Sequence, residues 1–333
     1  MPEFRQNFAT KEWIILATER GKRPSDFHRK PEEKKEPSSA YEKSCPFCRG
    51  NEHQTTEPLL AFPSEEHWQV RAVTNKYAAL DPSLDPTRRE DGLFLSVDGF
   101  GRAEVVIEHP LHNANPATMN PADIELILKA YRERQCDISR DGKINLVTIF
   151  RNHGLRAGTS LAHPHSQVIA TPIIPPHVRY PIQQAIMHFD TFGNCVYCEM
   201  MEEELRQKER IICESDNFVA FCPYAARSPF ESRIYPKRHM ASYVSISDGE
   251  IEELAVILRK VLAGLFHGLG DPDYNYIIRS SPVGDENVRH LHWYMVIVPK
   301  ITIPAGFEIG SGIYINTVAP EESAEFLREK SPK

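Results

Sequence analysis

The sequence contains no long apolar run, no excess of positive charge and no signal-peptide core. No stretch approaches the roughly 18 consecutive apolar residues of a membrane helix, and the N-terminal segment MPEFRQNFATKEW is polar. These absences predict a cytoplasmic protein with no membrane partner. The net charge of −7 argues against a nucleic-acid-binding protein, which needs a basic surface to displace counterions. A local arginine cluster would still suffice for a small phosphorylated ligand.

Seven cysteines are present, and four of them form two C-x-x-C pairs. In a cytosolic protein this pattern favours metal binding over disulfides. Buried packing is the simpler alternative for any one cysteine, but two pairs followed by spaced histidines favour two closed, structural zinc sites. The expected ligands are Cys45, Cys48, His112 and His163 in the first site, and Cys195, Cys198, His239 and either His290 or His292 in the second.

The order of predicted elements occurs twice along the chain: C-x-x-C pair, strands, histidine, helix, strand and histidine-rich strand. His112 and His163 are 51 residues apart, as are His239 and His290, which favours His290 as the last ligand of the second site. Residues two apart on a strand share a face, so His292 is also a candidate for the last ligand of this site. We expect an α+β fold with duplicated halves, residues 1–178 and 179–333, in which helices pack on a mostly antiparallel sheet.

The segment His163-Pro164-His165-Ser166-Gln167 carries the chemistry. A lone histidine here would suggest packing, but alternate positions on a strand from 162 to 173 put two histidines and a glutamine on one face. A neutral imidazole is a competent nucleophile near pH 7. We therefore predict that His165 attacks an α-phosphorus and forms a nucleotidyl-histidine. Gln167 is placed to hydrogen-bond the oxygen on which charge develops.

Two further segments suit phosphate binding. The loop before this strand contains Gly158, Thr159 and Ser160, whose backbone N–H groups and hydroxyls can cradle phosphates. Arg20 and Arg23 form a short basic cluster; most such clusters are solvated surface, but with a phosphate site elsewhere they become candidate sugar-phosphate clamps.

Together these segments resemble the galactose-1-phosphate uridylyltransferase family of the histidine-triad superfamily over nearly the whole chain. The resemblance is carried by RGKRP at 20–24, CPFC at 45–48, VTNKYAAL at 73–80, F-x-N-x-G at 150–154, the 158–160 loop and HPHSQ at 163–167. It implies histidine-triad-like halves, a homodimer and ping-pong uridylyl transfer from UDP-glucose to galactose 1-phosphate. It implies His165 as the uridylylated residue, Gln167 and Ser160 at the phosphates, Asn75 and Asn152 at the nucleotide, and Arg20 and Arg23 at phosphoryl groups.

The C-terminal segment GFEIGSGIYIN, at 306–316, departs from the best-known bacterial members and resembles a plant-type ADP-glucose phosphorylase. In that relative phosphate accepts the nucleotidyl group, and the last ligand of the second metal site aligns with His292, which we therefore favour. The leading hypothesis is a hexose-1-phosphate uridylyltransferase. The alternatives are an adenylyltransferase or phosphorylase acting on ADP-glucose and phosphate, a histidine-triad nucleotide hydrolase, and a zinc-stabilised binding module.

Overall fold

The structure is a computed structural model that describes residues 1–20, 27 and 39–332. Six helices lie in this part of the chain: α1 (Pro121–Ile138), α2 (Pro176–Phe192), α3 (Val196–Gln207), α4 (Asp248–Leu269), α5 (Gly306–Ser311) and α6 (Pro320–Lys330). The first seven strands are β1 (Glu3–Gln6), β2 (Trp13–Leu16), β3 (Pro58–Phe62), β4 (Val70–Thr74), β5 (Arg88–Asp91), β6 (Phe94–Val97) and β7 (Arg102–Ile107). The others are β8 (Leu146–His153), β9 (His165–Thr171), β10 (Ile211–Glu214), β11 (Phe218–Phe221), β12 (Ser232–Pro236), β13 (Tyr274–Arg279), β14 (Tyr294–Pro299) and β15 (Tyr314–Asn316).

Ten strands form one sheet in the order β10-β11-β12-β14-β13-β8-β9-β7-β4-β3. Counted from its outer edge, each half contributes five strands in the same relative order, and the halves meet where β8 pairs with β13. Every neighbouring pair is antiparallel. The α+β class, the mostly antiparallel sheet and the duplication are therefore confirmed.

Helices α1 and α4 pack on one face of the sheet and form the main core with its apolar side chains. The helix starts follow from local chemistry: α1 has Pro121 in its first turn, and α4 begins with a capping box between Ser247 and Glu250. Side chains alternate along strands, so Val168 and Ala170 enter this core while His165 and Gln167 face the other way. The side chains that concern function therefore lie on the face opposite the two helices.

Two strands begin later than expected. Strand β9 starts at His165 rather than Ala162, because Pro164 has no N–H for the ladder. Strand β14 starts at Tyr294 rather than at residue 290. Each metal-site histidine therefore precedes its strand instead of sharing a strand face with the next residue but one.

The remaining elements surround the large sheet. Strands β1, β2 and β15 form a small sheet that joins the two ends of the described chain, and β5 pairs with β6 in a hairpin. The expected boundary between residues 178 and 179 falls in the first turn of α2, and the division stays a prediction. None of the helices in the described part combines the length and apolarity needed to cross a bilayer.

Candidate active site and metal centres

His165 opens β9 with one ring nitrogen already engaged. Its Nδ1–H donates to the carbonyl oxygen of His163 at 2.8 Å, which leaves the Nε2 lone pair available. The side chain is buried, and its ring centroid lies 5.3 Å from that of Phe47. Burial, more than any other influence, lowers the pKa of His165 below its ordinary value. A neutral imidazole whose tautomer is fixed by a backbone carbonyl presents the other nitrogen as a nucleophile.

Gln167 lies two residues further along the same face of β9. It is half-buried, and its register partners are Val105 on β7 and Phe150 on β8. The alternation inferred from the sequence thus brings His165 and Gln167 together, with the amide set among apolar neighbours. An amide in that position can donate to an oxygen of a group held at His165.

A buried polar network supports β9 from behind, on the side of α1. The hydroxyls of Tyr131 and Tyr276 donate to Glu108 Oε1 at 3.1 and 3.3 Å, and Ser166 Oγ donates to the same oxygen. Arg151 Nε donates to Glu108 Oε2 at 2.8 Å. Burial opposes ionisation of Glu108, but the charge of Arg151 and the hydrogen bonds from Ser166 and Arg151 together outweigh it, and the pKa of Glu108 falls below its ordinary value.

The network joins α1, β8, β9 and β13 to the residue that follows β7. It is therefore built to hold the strand of His165 in register. This network was not predicted from the sequence. The available signal was a charged residue at the end of each of two strongly apolar runs, Glu108 after RAEVVI and Arg151 after LVTIF.

Asn152 is held by a residue from the second half of the chain. Asn275 on β13 is its register partner, and Asn275 Nδ2 donates to Asn152 Oδ1 at 2.7 Å. The same nitrogen donates to the carbonyl oxygen of Ala157 at 2.9 Å. One amide thus fixes both the predicted nucleotide contact and the loop that follows it. Sequence reasoning did not identify Asn275, because its role depends on the pairing of β8 with β13.

The loop after β8 folds tightly around a short 3-10 turn, Leu155–Ala157. Gly154 and Gly158 take φ values of 82° and 93°, in the left-handed region that glycine enters readily. Asp273 accepts a hydrogen bond from the backbone N–H of Arg156 at 2.8 Å, and a Cβ on Gly154 would collide with the Asp273 carboxylate. Backbone geometry therefore requires glycine at 154 and ties this loop to the second half.

The other predicted site residues are less closely gathered. The Thr159 hydroxyl donates to the carbonyl of Leu161 at 3.0 Å, whereas Ser160 is exposed. Asn75 follows β4, two strands from β9, and its Oδ1 accepts from the N–H of Tyr77 at 3.0 Å. Arg20 ends a short 3-10 turn, but its side chain and the whole of Arg23 lie outside the described residues.

The first cysteine pair meets two histidines beside β9. The ligand atoms of Cys45, Cys48, His112 and His163 all lie within 4.8 Å of one another. Cys48 Sγ is 3.5 Å from His112 Nδ1 and 3.6 Å from His163 Nδ1, and tetrahedral Zn²⁺ separates sulfur and nitrogen ligands by about 3.6 Å. His163 Nε2–H donates to the carbonyl of His109 at 2.7 Å, which leaves Nδ1 for a metal.

The second group is built in the same way. The ligand atoms of Cys195, Cys198, His239 and His292 lie within 4.8 Å of one another, and Cys198 Sγ is 3.3 Å from each histidine Nδ1. His292 Nε2–H donates to the carbonyl of Pro236 at 2.9 Å.

The structure places His292 in this group, whereas the equal 51-residue spacings pointed to His290. In both halves the metal-site histidine stands two residues before the first residue of its strand, as His163 precedes His165 and His292 precedes Tyr294. Position relative to the strand therefore identifies the last histidine of each group better than residue spacing does, because the connecting segments differ in length.

A buried histidine with one free ring nitrogen, a loop bounded by two glycines and a Cys₂His₂ group thus lie around one strand, and the comparisons with known proteins identify the chain as a nucleotidyltransferase. The sequence profile of the galactose-1-phosphate uridyl transferase N-terminal domain matches residues 1–175, and that of the C-terminal domain matches residues 177–331. The chain belongs to the galactose-1-phosphate uridyl transferase family.

Similar proteins include an ADP-glucose phosphorylase and galactose-1-phosphate uridylyltransferases. The chain is 37% identical to an ADP-glucose phosphorylase of Arabidopsis thaliana, over 99% of this chain and 93% of that protein. It is 31% identical to a galactose-1-phosphate uridylyltransferase of Thermotoga maritima, over 99% and 98%. A crystal structure of an Arabidopsis thaliana ADP-glucose phosphorylase with bound ADP-glucose superimposes with a TM-score of 0.85 at 34% identity and covers both chains completely.

Proposed function

We propose that this enzyme transfers a nucleotidyl group by a ping-pong reaction through His165. The observation that carries the proposal is the fixed tautomer, in which Nδ1–H is bound to His163 and Nε2 is free. In the first step Nε2 forms a bond to the α-phosphorus of a nucleoside-diphosphate sugar, and the bond to the bridging oxygen breaks. The sugar 1-phosphate leaves with that electron pair as a stable anion. In the second step an oxygen of the acceptor's phosphate group attacks the same phosphorus, the Nε2–P bond breaks with its electron pair returning to Nε2, and His165 is regenerated neutral.

The surrounding residues supply contacts rather than proton transfer. Gln167 shares the face of His165 and is assigned to a phosphoryl oxygen. Gly158, Thr159 and Ser160 are assigned to the phosphates as a loop, and Asn152 and Asn75 to the nucleoside. Arg20 and Arg23 are assigned to the sugar-phosphate group, as the family resemblance implies. Because the leaving group is already an anion, the reaction needs no strong general acid.

UDP-glucose as donor and galactose 1-phosphate as acceptor form the leading substrate pair. The two domain profiles, which together match nearly the whole chain, and the relative from Thermotoga maritima support this pair. The second candidate is phosphorolysis of ADP-glucose, in which phosphate accepts the adenylyl group. It is favoured by the 37% identity to the Arabidopsis thaliana ADP-glucose phosphorylase and by the matching structure with bound ADP-glucose. Both candidates use the same chemistry at His165.

Intact-mass spectrometry after incubation with one sugar nucleotide at a time tests both candidates. We expect UDP-glucose to add one uridylyl group to the protein, the His165→Ala variant to remain unlabelled, and variation of the exposed His67 to alanine to leave labelling unchanged. Labelling by ADP-glucose alone would select the phosphorylase. Rapid loss of the label in buffer without an acceptor would indicate a hydrolase. Absence of label with either donor would contradict nucleotidyl transfer.

We propose that both Cys₂His₂ groups hold structural Zn²⁺. The donor set and the sulfur–nitrogen separations of 3.3 to 3.6 Å suit a tetrahedral ion with no open position, which stabilises the fold and does not activate water. Elemental analysis of purified protein should find about two zinc ions per chain. Cys48→Ser and Cys198→Ser should each lose one, whereas Cys213→Ser on β10 should lose none. Fewer than one zinc per chain in folded wild type would refute the assignment.

We propose further that the enzyme is a cytoplasmic homodimer. None of the seven cysteines forms a disulfide, which suits a reducing compartment. The β5–β6 hairpin exposes Leu93, Phe94 and Leu95, three adjacent large apolar side chains of the kind that mark protein interfaces. Light scattering on a sizing column should give twice the chain mass, and Phe94→Glu should shift the population towards monomer. A wild-type protein that runs as a monomer at micromolar concentration would exclude the dimer.

A further inference from the structure

The duplicated halves allow the His165 site to be located a second time. His163 and His292 are the strand-preceding histidines of the two metal groups, so Tyr294 occupies the position of His165. By the same register Val296 stands where Gln167 stands in the first half. The nucleophile and its neighbouring amide are thus both replaced at the equivalent position. The second half cannot form a nucleotidyl-histidine there.

A large cavity nevertheless lies at this position. Its volume is about 440 Å³, within the range of small-molecule sites, and Tyr294 and Val296 form part of its wall. Tyr197 and Ile277 add apolar surface, and Lys300 adds a positive charge. The Tyr294 ring stacks on Tyr235 at 4.8 Å with an interplanar angle of 2°. An aromatic and aliphatic wall of this kind suits a planar apolar group.

Two arginines appear where the first half has uncharged residues. Arg233 pairs with Val296 in the register, as Val105 pairs with Gln167. Arg279 pairs with Tyr294, and both arginines line the cavity. The second half has therefore lost its nucleophile and gained two arginines at the same place, of which Arg233 forms an ion pair with Glu231 at 3.2 Å.

Some polar groups of the residues that line the cavity have no hydrogen-bond partner in the part of the chain that the structure describes. Arg233 is 7% exposed, and its Nη2 donates to Glu231 at 3.2 Å, but its Nε and Nη1 have no hydrogen-bond partner among the described residues. Ser281, 6% exposed and also in the cavity wall, has an unpartnered Oγ within the same part of the chain. Buried donors are almost always satisfied in proteins, so unsatisfied ones on side chains that line a cavity indicate an absent acceptor.

We propose that this cavity is a second, non-catalytic site that binds a nucleoside phosphate. The phosphate accepts hydrogen bonds from Arg233 and Arg279, with Ser281 beside it, and the base packs on the Tyr294 wall. Binding there occurs without bond formation, because the hydroxyl of a half-buried tyrosine, stacked on Tyr235, replaces the imidazole. The proposal is independent of which sugar nucleotide reacts at His165.

Equilibrium dialysis and photolabelling of the full-length protein test this site. UMP should bind at about two equivalents per chain, and 5-azido-UMP should label peptides containing His165 and, separately, Tyr294. Arg279→Met should weaken the second equivalent by at least about tenfold, as loss of a charge-assisted contact predicts, and abolish only the Tyr294 label. The matched control Arg140→Met, at an exposed side chain just after α1, should retain both.

One outcome of each measurement would overturn the proposal. A single UMP equivalent in the wild-type protein, with no label on the Tyr294 peptide, would do so without any variant. Retention of that label in Arg279→Met would exclude recognition by the arginine. A second equivalent for glucose 1-phosphate but not for UMP would refute a nucleoside ligand.

Discussion

Replacing Asn275 by alanine should slow nucleotidyl transfer far more than it weakens the fold. The change removes two hydrogen bonds, of 2.7 Å to Asn152 and 2.9 Å to Ala157. Each contributes about 0.5–1.5 kcal/mol net, so the free energy of unfolding should fall by about 1–3 kcal/mol. Asn152 and the loop around Ala157 then lose the hydrogen bonds that position both of them. A displacement of about 1 Å costs on the order of 100-fold in rate.

The assay is the single-turnover rate of His165 labelling, quenched and read by intact mass, with urea unfolding measured alongside. Asn145→Ala is the matched control, because its amide also makes one bond to a backbone carbonyl, Pro172 at 2.6 Å, but at the other end of β8. In the double variant with Asn152→Ala the two effects should not add, since both act through one contact. A labelling rate within twofold of wild type, or strict additivity, would refute the positioning role.

Three other substitutions have expected outcomes. Glu108→Gln leaves Arg151 as a buried charge without its partner and should lower the free energy of unfolding by about 3–5 kcal/mol; a loss below about 1 kcal/mol in urea would contradict this. Because the folded-state pKa of Glu108 lies below its ordinary 4.5, the stability it contributes should be complete above pH 4.5 and disappear as pH falls through the folded value. Gly154→Ala forces a Cβ against Asp273 and should slow labelling at least about tenfold with zinc content unchanged; an unchanged rate would argue against a fixed loop. Ser247→Ala removes the N-cap of α4 and should cost about 1 kcal/mol by calorimetry without affecting transfer.

Local chemistry made much of the architecture predictable. Helix α1 begins at Asn120-Pro121 and α4 at the acidic Asp248, and both are helix-start signals that can be read in the sequence. The two C-x-x-C pairs and the HPHSQ segment are short-range patterns, and such patterns can be recognised without knowing which distant residues they contact. The repeated order of elements was enough to group the cysteine pairs with His112 and His239.

The unpredicted features depend on contacts between distant residues. Asn275 reaches Asn152, and Asp273 reaches the backbone of Arg156, across more than a hundred positions of sequence. No local periodicity marks such residues, because their role arises from which strands become neighbours. Helix α2 was not predicted for a different reason. Pro181 lies inside it, and a proline argues against a helix interior.

The pairing of β8 with β13 has a consequence for how the enzyme becomes active. Phe150 pairs with Gln167 within the first half, but with Ile277 across the junction, so the junction closes a far longer loop. Pairings between residues distant in sequence lose loop-closure entropy before their contacts contribute any stability, so they tend to form late. Each half should therefore assemble its own five strands first and the seam between them last. Because the hydrogen bonds of Asn275 exist only at that seam, a refolding chain should regain its secondary structure before it regains transfer activity.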